Sequence, residues 1–272
     1  MRGWSYAQRK ADKKIGFVPT MGFLHEGHLS LIREARKRCD KVVVSIFVNP
    51  TQFAPNEDFD QYPRDFERDR RLCEQQGVDA IFYPQNEDMY AEGHLTYVYT
   101  ENIGRILEGK TRPIHFRGVT TVVSKLFNIV LPHLAVFGQK DAQQAFILRK
   151  MVNDLNFDIE MVIAPIIREE DGLAMSSRNK YLSPQERAQA NVLYRTLKLA
   201  EEEILKGNRA YDTIKEKMQA LIDASPLAET DYIAFVDADT FLPPTDNTRK
   251  VQILIAVYFG KTRLIDNMII EL

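Results

Sequence analysis

Short runs that are apolar at nearly every position alternate with amphipathic stretches through the first two-thirds of the chain. Residues 15–18, 42–48, 79–83, 134–137 and 159–163 read as strands, because a strand covered on both faces shows no polar alternation. Between them, 29–39, 66–76, 119–130 and 141–154 carry helical spacing, and Gly77 stands where the second of these should stop. Strands and helices in this alternation predict a parallel sheet with helices on both faces, whose ligands lie at the carboxyl ends of the strands. The pattern changes after Arg178. Ser183, Pro184 and Glu186 have the spacing of an N-cap, a first helical position and a capping box. A long helix to about Lys206 should follow, then Gly207-Asn208 and a second helix over 211–224. Strands at 232–236, 251–259 and 268–270 complete a smaller α+β unit. The break falls near 176–182, giving an expected division into 1–176 and 177–272.

Composition narrows the class. The chain has 272 residues, 44% hydrophobic, with 36 Lys and Arg against 38 Asp and Glu, a net charge of −2. This is a globular composition without the basic excess of a general nucleic-acid binder, so no nucleic-acid partner is expected. Its two cysteines, Cys39 and Cys73, have no CxxC spacing and can build neither a zinc ribbon nor a disulfide framework. Reduced thiols in a cytoplasm are the default. The longest apolar runs are strand-length and cannot span a bilayer, and the charged N-terminus has no apolar signal core. The expected location is cytoplasmic, with no membrane partner.

The chemistry gathers where predicted strands end. The first strand runs through Pro19 and Thr20 into Met21-Gly22-Phe23-Leu24-His25-Glu26-Gly27-His28 and then into a helix. Two imidazoles three residues apart at a helix N-terminus suit an anion, since the backbone N–H groups and the dipole favour negative charge there. Neither GxGxxG nor the Walker loop is present, so this is a phosphate site of another type. The plainer alternative is that the histidines only cap and pack the helix. Asn49 and Gln52, after the second strand, offer neutral amides to a small polar ligand, or else mark a turn begun by Asn-Pro. The acidic stretch 57–64 reads first as a solvated loop, with a lid or metal role second. Arg117, before the 119–130 helix, is a weaker phosphate candidate. Gly138, Gln139, Lys140 and Asp141 follow the 134–137 strand. Gly138 permits close backbone approach, Lys140 can neutralise phosphate, and Asp141 can accept from ribose or cap the next helix. Gln144 lies one turn into that helix and should point the same way. Met175, Ser176, Ser177 and Arg178 form a loop at the expected junction that either clamps a triphosphate as the domains close or is an ordinary linker.

His25-Glu26-Gly27-His28 resembles the HxGH signature of the nucleotidyltransferase superfamily, and Met175–Arg178 stands where that superfamily carries its KMSKS-type loop. The ordered set of Val18-Pro19-Thr20-Met21-Gly22, HEGH, SIFVNPTQF, YPRD, HFRGV, FGQKDAQQ and GLAMSSRN is similar to the pantothenate synthetase (pantoate–β-alanine ligase) family over nearly the whole chain, through Arg263–Asn267. The resemblance implies a fold of class α/β: a Rossmann-like parallel sheet with helices on both faces plus a smaller C-terminal α+β domain. It implies ATP as co-substrate with Mg²⁺, pantoate and β-alanine as the other substrates, and a homodimer. Pantoyl adenylate and pyrophosphate would form first, then pantothenate and AMP. By matching position, Met21 through His28, Gly138 through Asp141, Ile167 and Met175 through Arg178 would contact ATP. Gln52 and Gln144 would hold pantoate, with Asn49 and Tyr62 nearby. His28, His25, Lys140 and Arg178 would carry the catalysis, and Asp69 matches a carboxylate near the metal in some relatives. Two departures stand out. Gln139 occupies a position that is Glu in many relatives, and relatives usually begin with a further short strand ahead of the segment aligned with Met1, which is not expected here. A nucleotidyltransferase that stops at a nucleotide-linked product, and a non-catalytic RNA-binding module, are the alternative classes.

Overall fold

A computed structural model of the protein describes residues 1–55 and 57–272. The elements run α1 (Arg2–Lys10), β1 (Ile15–Thr20), α2 (Glu26–Arg38), β2 (Lys41–Ile46), α3 (Phe66–Gln75), β3 (Ala80–Phe82), α4 (Asn86–Met89), α5 (Glu108–Thr111), α6 (His115–Val130), β4 (Leu134–Gly138), α7 (Ala142–Asp154) and β5 (Glu160–Ala164). After them come α8 (Pro184–Ala190), α9 (Val192–Leu205), α10 (Tyr211–Asp223), β6 (Ala228–Asp237), β7 (Lys250–Phe259) and β8 (Thr262–Glu271).

The first five strands form one parallel sheet in the order β3-β2-β1-β4-β5. Alternation along each strand sends side chains to opposite faces. Ile15, Phe17, Val43, Ala135 and Phe137 pack with Val119, Val123 and Phe127 of α6 and Leu148 of α7. Val18, Val42, Val44 and Val136 pack with Ile32 and Ala35 of α2 and Cys73 of α3. Both faces are apolar because both are covered, which is why these strands read as unbroken hydrophobic runs. Strand order reverses between β1 and β4. The carboxyl ends of that pair lead into Met21 and out at Gly138, the crevice position where open α/β sheets take ligands.

The second sheet is antiparallel, β6-β7-β8. It packs Ile253, Ile255 and Val257 against Leu193, Leu197 and Ala200 of α9 and Ile214, Met218 and Ile222 of α10. The expected fold class is observed, a parallel sheet between helices and a smaller α+β unit. The chain clusters into one compact unit of Met1–Gly138 with Gln143–Pro165 and another of Gln139–Ala142 with Ile166–Leu272. That division lies ahead of the 176/177 break expected from sequence. Residues 166–176 fold on themselves through Met175 N–H to Ile167 O and the Arg168–Ala174 bridge, and the Arg168 guanidinium ties them to Asp266 of β8 in the second unit. The helix expected from 183 to 206 is two, α8 and α9, broken at Asn191. The capping box of Ser183 with Glu186 is present. The hydrophobic pattern does not announce helix α1, nor the full ten-residue length of β6 and β8.

Candidate active site

The turn after β1 is held in an unusual backbone conformation. Gly22 (φ +84°) and Phe23 (φ +51°) are both left-handed, and a Cβ on Gly22 would come within 2.9 Å of Ile46 and 3.0 Å of Asp69. Such a conformation persists only where its surroundings fix it. Thr20 Oγ1 accepts from Gly22 N (3.1 Å) and donates to Ser45 O (2.7 Å). Asp69, almost wholly buried on α3, accepts from Phe23 N (2.6 Å) and Leu24 N (2.7 Å). Burial pushes the Asp69 carboxyl above its ordinary range, against the pull of those two N–H donors. Both oxygens serve the turn, so Asp69 is its anchor. Among the described residues no group of three or more His, Cys, Asp or Glu is placed to hold a metal ion.

The two histidines form a reciprocal cap at the start of α2. His25 Nδ1 accepts from Gly27 N (3.2 Å), and His28 Nδ1 accepts from His25 N (3.3 Å). A ring nitrogen that accepts from a backbone N–H carries no proton, so both neutral imidazoles bear theirs on Nε2. The rings lie 4.1 Å apart between centroids. Capping and chemistry are therefore compatible: Nδ1 serves the helix, and Nε2–H is the group that can donate to a ligand. This joins the two readings that the sequence set against each other.

Beside the same turn, Gln52 Nε2 lies 3.0 Å from Met21 Sδ. Asn49, expected as a ligand contact, instead uses its amide inside the protein. Its Nδ2 donates to Gln52 Oε1 (3.1 Å) and Gly118 O (3.1 Å), and its Oδ1 accepts from Tyr90 OH (2.8 Å) and Thr51 Oγ1 (3.0 Å). With Oε1 tied to Asn49, Gln52 presents its NH₂ group toward Met21. Tyr62 is buried edge-on to Phe53 (6.2 Å). Gly118 lets α6 lie on the short 3₁₀ helix Pro50–Gln52. A Cβ there would overlap Thr51 O and sit 2.6 Å from Gln52 Cα. Gly118→Ala should therefore destabilise the fold by about 1–3 kcal/mol through overpacking, read as a lower thermal midpoint by circular dichroism. An unchanged midpoint would remove this packing role.

The stretch 57–64 is not simply solvated. Glu57 pairs with the Arg112 guanidinium at 2.7 and 3.0 Å, both side chains largely buried, and Arg112 also meets His115 (3.2 Å). His115 in turn lies 3.1 Å from Gln52 O through Nδ1. Arg117 stacks on Tyr97 (4.6 Å). Gln144 is half-buried, and among the described residues its amide has no protein partner, whereas the adjacent Gln143 is buried on Ile103 O, Ile106 O and Glu108 N. Burial pushes the Cys73 thiol up to about 12 and raises Cys39 as well, the opposite of the depression that activates a thiolate.

In the second unit, Lys140 Nζ lies 3.9 Å from Asp141, and both carbonyls flanking the Lys140 Cα are bonded by Asn267 of β8. Gln139 Nε2 donates to the same Asn267 side chain (3.3 Å). Ser176 Oγ caps the 3₁₀ helix Ser177–Tyr181 by accepting from Arg178 N (3.3 Å). Ile167 O is taken by Met175 N. Asn179 braces the loop through Glu169 (2.7 Å) and Ala174 O (3.1 Å). The structural roles of Tyr90, Asp69 and Asn267 escape a reading of the sequence because each acts on a partner far away in the chain. Their one signal is a polar residue type inside an otherwise apolar context.

A five-stranded parallel sheet with a reciprocally capped imidazole pair at its switch point defines an α/β protein whose ligand crevice opens at the carboxyl ends of β1 and β4. Comparison narrows this: residues 1–269 match the family model for pantoate-beta-alanine ligase, and the chain belongs to that family. It is 57% identical to the pantothenate synthetase of Syntrophomonas wolfei over 100% of this chain and 96% of that protein. It is 56% identical to the one from Thermotoga petrophila over 99% and 96%. The crystal structure of pantothenate synthetase from Thermus thermophilus superposes with a TM-score of 0.92 at 46% identity, covering 97% and 96% of the two chains. The Francisella tularensis ligase, described as complexed with β-γ ATP and β-alanine, gives 0.78 at 37% identity over 98% and 94%.

Proposed function

We propose that the chain condenses pantoate with β-alanine using ATP, through a pantoyl adenylate. The observation that carries this reading is the reciprocal histidine cap, which puts the protons of both imidazoles on Nε2 at a helix N-terminus, inside a family match spanning nearly the whole chain. A pantoate carboxylate oxygen attacks the α-phosphorus of ATP and pyrophosphate leaves. The β-alanine amine then attacks the acyl carbon, AMP leaves with the former carboxylate oxygen, and the amine gives up a proton. Developing negative charge on the phosphoryl oxygens is met by His25 and His28 and by the cations Lys140 and Arg178. Met21 to His28, Gly138 to Asp141, Ile167, and Met175 to Arg178 serve as the ATP contacts. Gln52 and Gln144 hold pantoate beside Tyr62, and Asn49 orients Gln52.

Mg²⁺ enters with ATP as part of the substrate. The chain offers no carboxylate cage among the described residues, and Mg²⁺ is ordinarily carried on substrate phosphates. We also read the working protein as a cytoplasmic homodimer. Two free buried thiols suit a reducing compartment, and no helix among the described residues is long and apolar enough to cross a membrane.

The test is pantoate-dependent exchange of pyrophosphate into ATP, with AMP accumulating only once β-alanine is added. Exchange that ignores pantoate would point to the simpler nucleotidyltransferase. Tight, salt-sensitive RNA binding without exchange would point to the binding module. Gln144→Ala should raise the pantoate KM by about tenfold or more, the worth of a hydrogen bond to a charged ligand, while the ATP KM stays put. An unchanged pantoate KM would take Gln144 out of that pocket.

A further inference from the structure

The terminal strand β8 carries two adjacent buried polar residues, Asp266 and Asn267, that no step above uses. Asn267 donates from Nδ2 to Gln139 O (2.9 Å) and Lys140 O (3.0 Å). Its Oδ1 accepts from Gln139 Nε2 (3.3 Å) and from Gln252 Nε2 (3.0 Å) on β7. Every donor and lone pair of the carboxamide is therefore matched. Turning it over would set its oxygen against two carbonyl oxygens. The two carbonyls it holds belong to the peptide planes on either side of the Lys140 Cα, so one side chain fixes both backbone dihedrals of that residue.

Asp266 does the parallel task one residue away. It accepts from the Asn267 N–H (2.7 Å) and from Arg168 at 2.6 and 3.0 Å. Arg168 donates onward to Gly172 O (3.0 Å) and stacks on Tyr194 (4.5 Å). Gly172 begins the segment that leads into Met175–Arg178. Consecutive residues of one strand thus hold the backbone around Lys140 and the Arg168 side chain next to Ile167.

We propose that Asn267 is a positioning residue for adenylation, acting through Lys140 by clamping the peptide planes that aim its ammonium group. A lysine is a point charge on a flexible stem, so what the protein can fix is where the stem starts. Displacement by about 1 Å at a reacting centre costs on the order of a hundredfold in rate. The proposal rests on the reading of Lys140 as a phosphate-neutralising group.

The experiment is a double-mutant cycle with Lys140→Ala and Asn267→Ala, measured as pantoate-dependent pyrophosphate exchange alongside thermal melting. Asn267→Ala should lower kcat/KM for ATP by about 10- to 100-fold, with the pantoate KM unchanged. In the Lys140→Ala background the same substitution should cost less than about twofold, because the group it aims is gone. A merely structural role would instead multiply the two losses, and that result overturns the proposal. So does an Asn267→Ala protein of near-normal activity while Lys140→Ala is crippled. Near-normal Lys140→Ala would instead overturn the Lys140 reading on which the proposal stands. Should Asn267→Ala fail to fold, Gln252→Leu takes its place in the cycle. It unlocks the Asn267 amide without removing its donors, and a smaller ATP-specific loss that vanishes with Lys140→Ala is expected. Multiplied losses overturn the proposal there too.

Discussion

His28→Ala should lower the rate of adenylate formation by about two orders of magnitude or more, the usual cost of deleting a donor aimed at developing phosphoryl charge. The substitution removes two things at once. It deletes the Nε2–H donor, and it deletes the Nδ1 acceptor that caps His25 N at the head of α2. Losing a cap costs about 0.5–2 kcal/mol of stability, so a slow enzyme could in principle be a loosened one. His28→Gln separates the two. Glutamine three residues after the N-cap is the ordinary capping-box partner and can accept from His25 N, yet it has no imidazole. The expected result is a His28→Gln protein that melts like the parent and remains nearly as slow as His28→Ala in single-turnover formation of pantoyl adenylate. Recovery of the rate with the cap would show that His28 is structural only.

Lys140→Ala should be comparably severe, about a hundredfold or more in kcat/KM for ATP, because on the proposed reading it removes a full positive charge from the triphosphate. Its neighbour Asp141 lies 3.9 Å away and half-exposed, a loose pair of the kind worth little to stability. Thermal stability should therefore hardly change, and this is the feature that marks the loss as chemical. Lys140→Arg keeps the charge but replaces a compact ammonium with a planar fork of different reach, so only partial recovery is expected. Turnover near normal in Lys140→Ala, measured by pyrophosphate exchange at saturating pantoate, would remove this residue from the phosphate site.

Much of this protein is legible in its sequence for a physical reason. Strands β1, β2 and β4 are covered on both faces, so they appear as uninterrupted apolar runs, and the turns proposed to hold the ligands lie directly after them. The edges of that legibility follow the same logic. Helix α1 is short and mostly polar, with Met1 and Trp4 as its partly buried contacts, too few to show a period. Strands β6 and β8 mix half-exposed positions with buried ones, which shortens their apparent length. In the site, residue type and spacing point to His25, His28 and Gln52. They do not separate Asn49, whose amide is wholly engaged within the protein, from Gln52, which it orients. Nor can they reveal the part played by Asp69, whose two shortest bonds go to backbone N–H groups with no side-chain identity to read.

The strand order has a consequence for synthesis. β1 pairs on one side with β2, which follows it closely, and on the other with β4, whose Leu134 meets Gly16 from much further along the chain. While a ribosome is still adding residues ahead of Leu134, the nascent half-sheet presents β1 with one row of N–H and C=O groups bare, flanked by apolar side chains. Such an edge invites adhesion to other chains. Released chains ending before Leu134 should therefore bind chaperones and aggregate, and released chains extended past Ala164 should do so less.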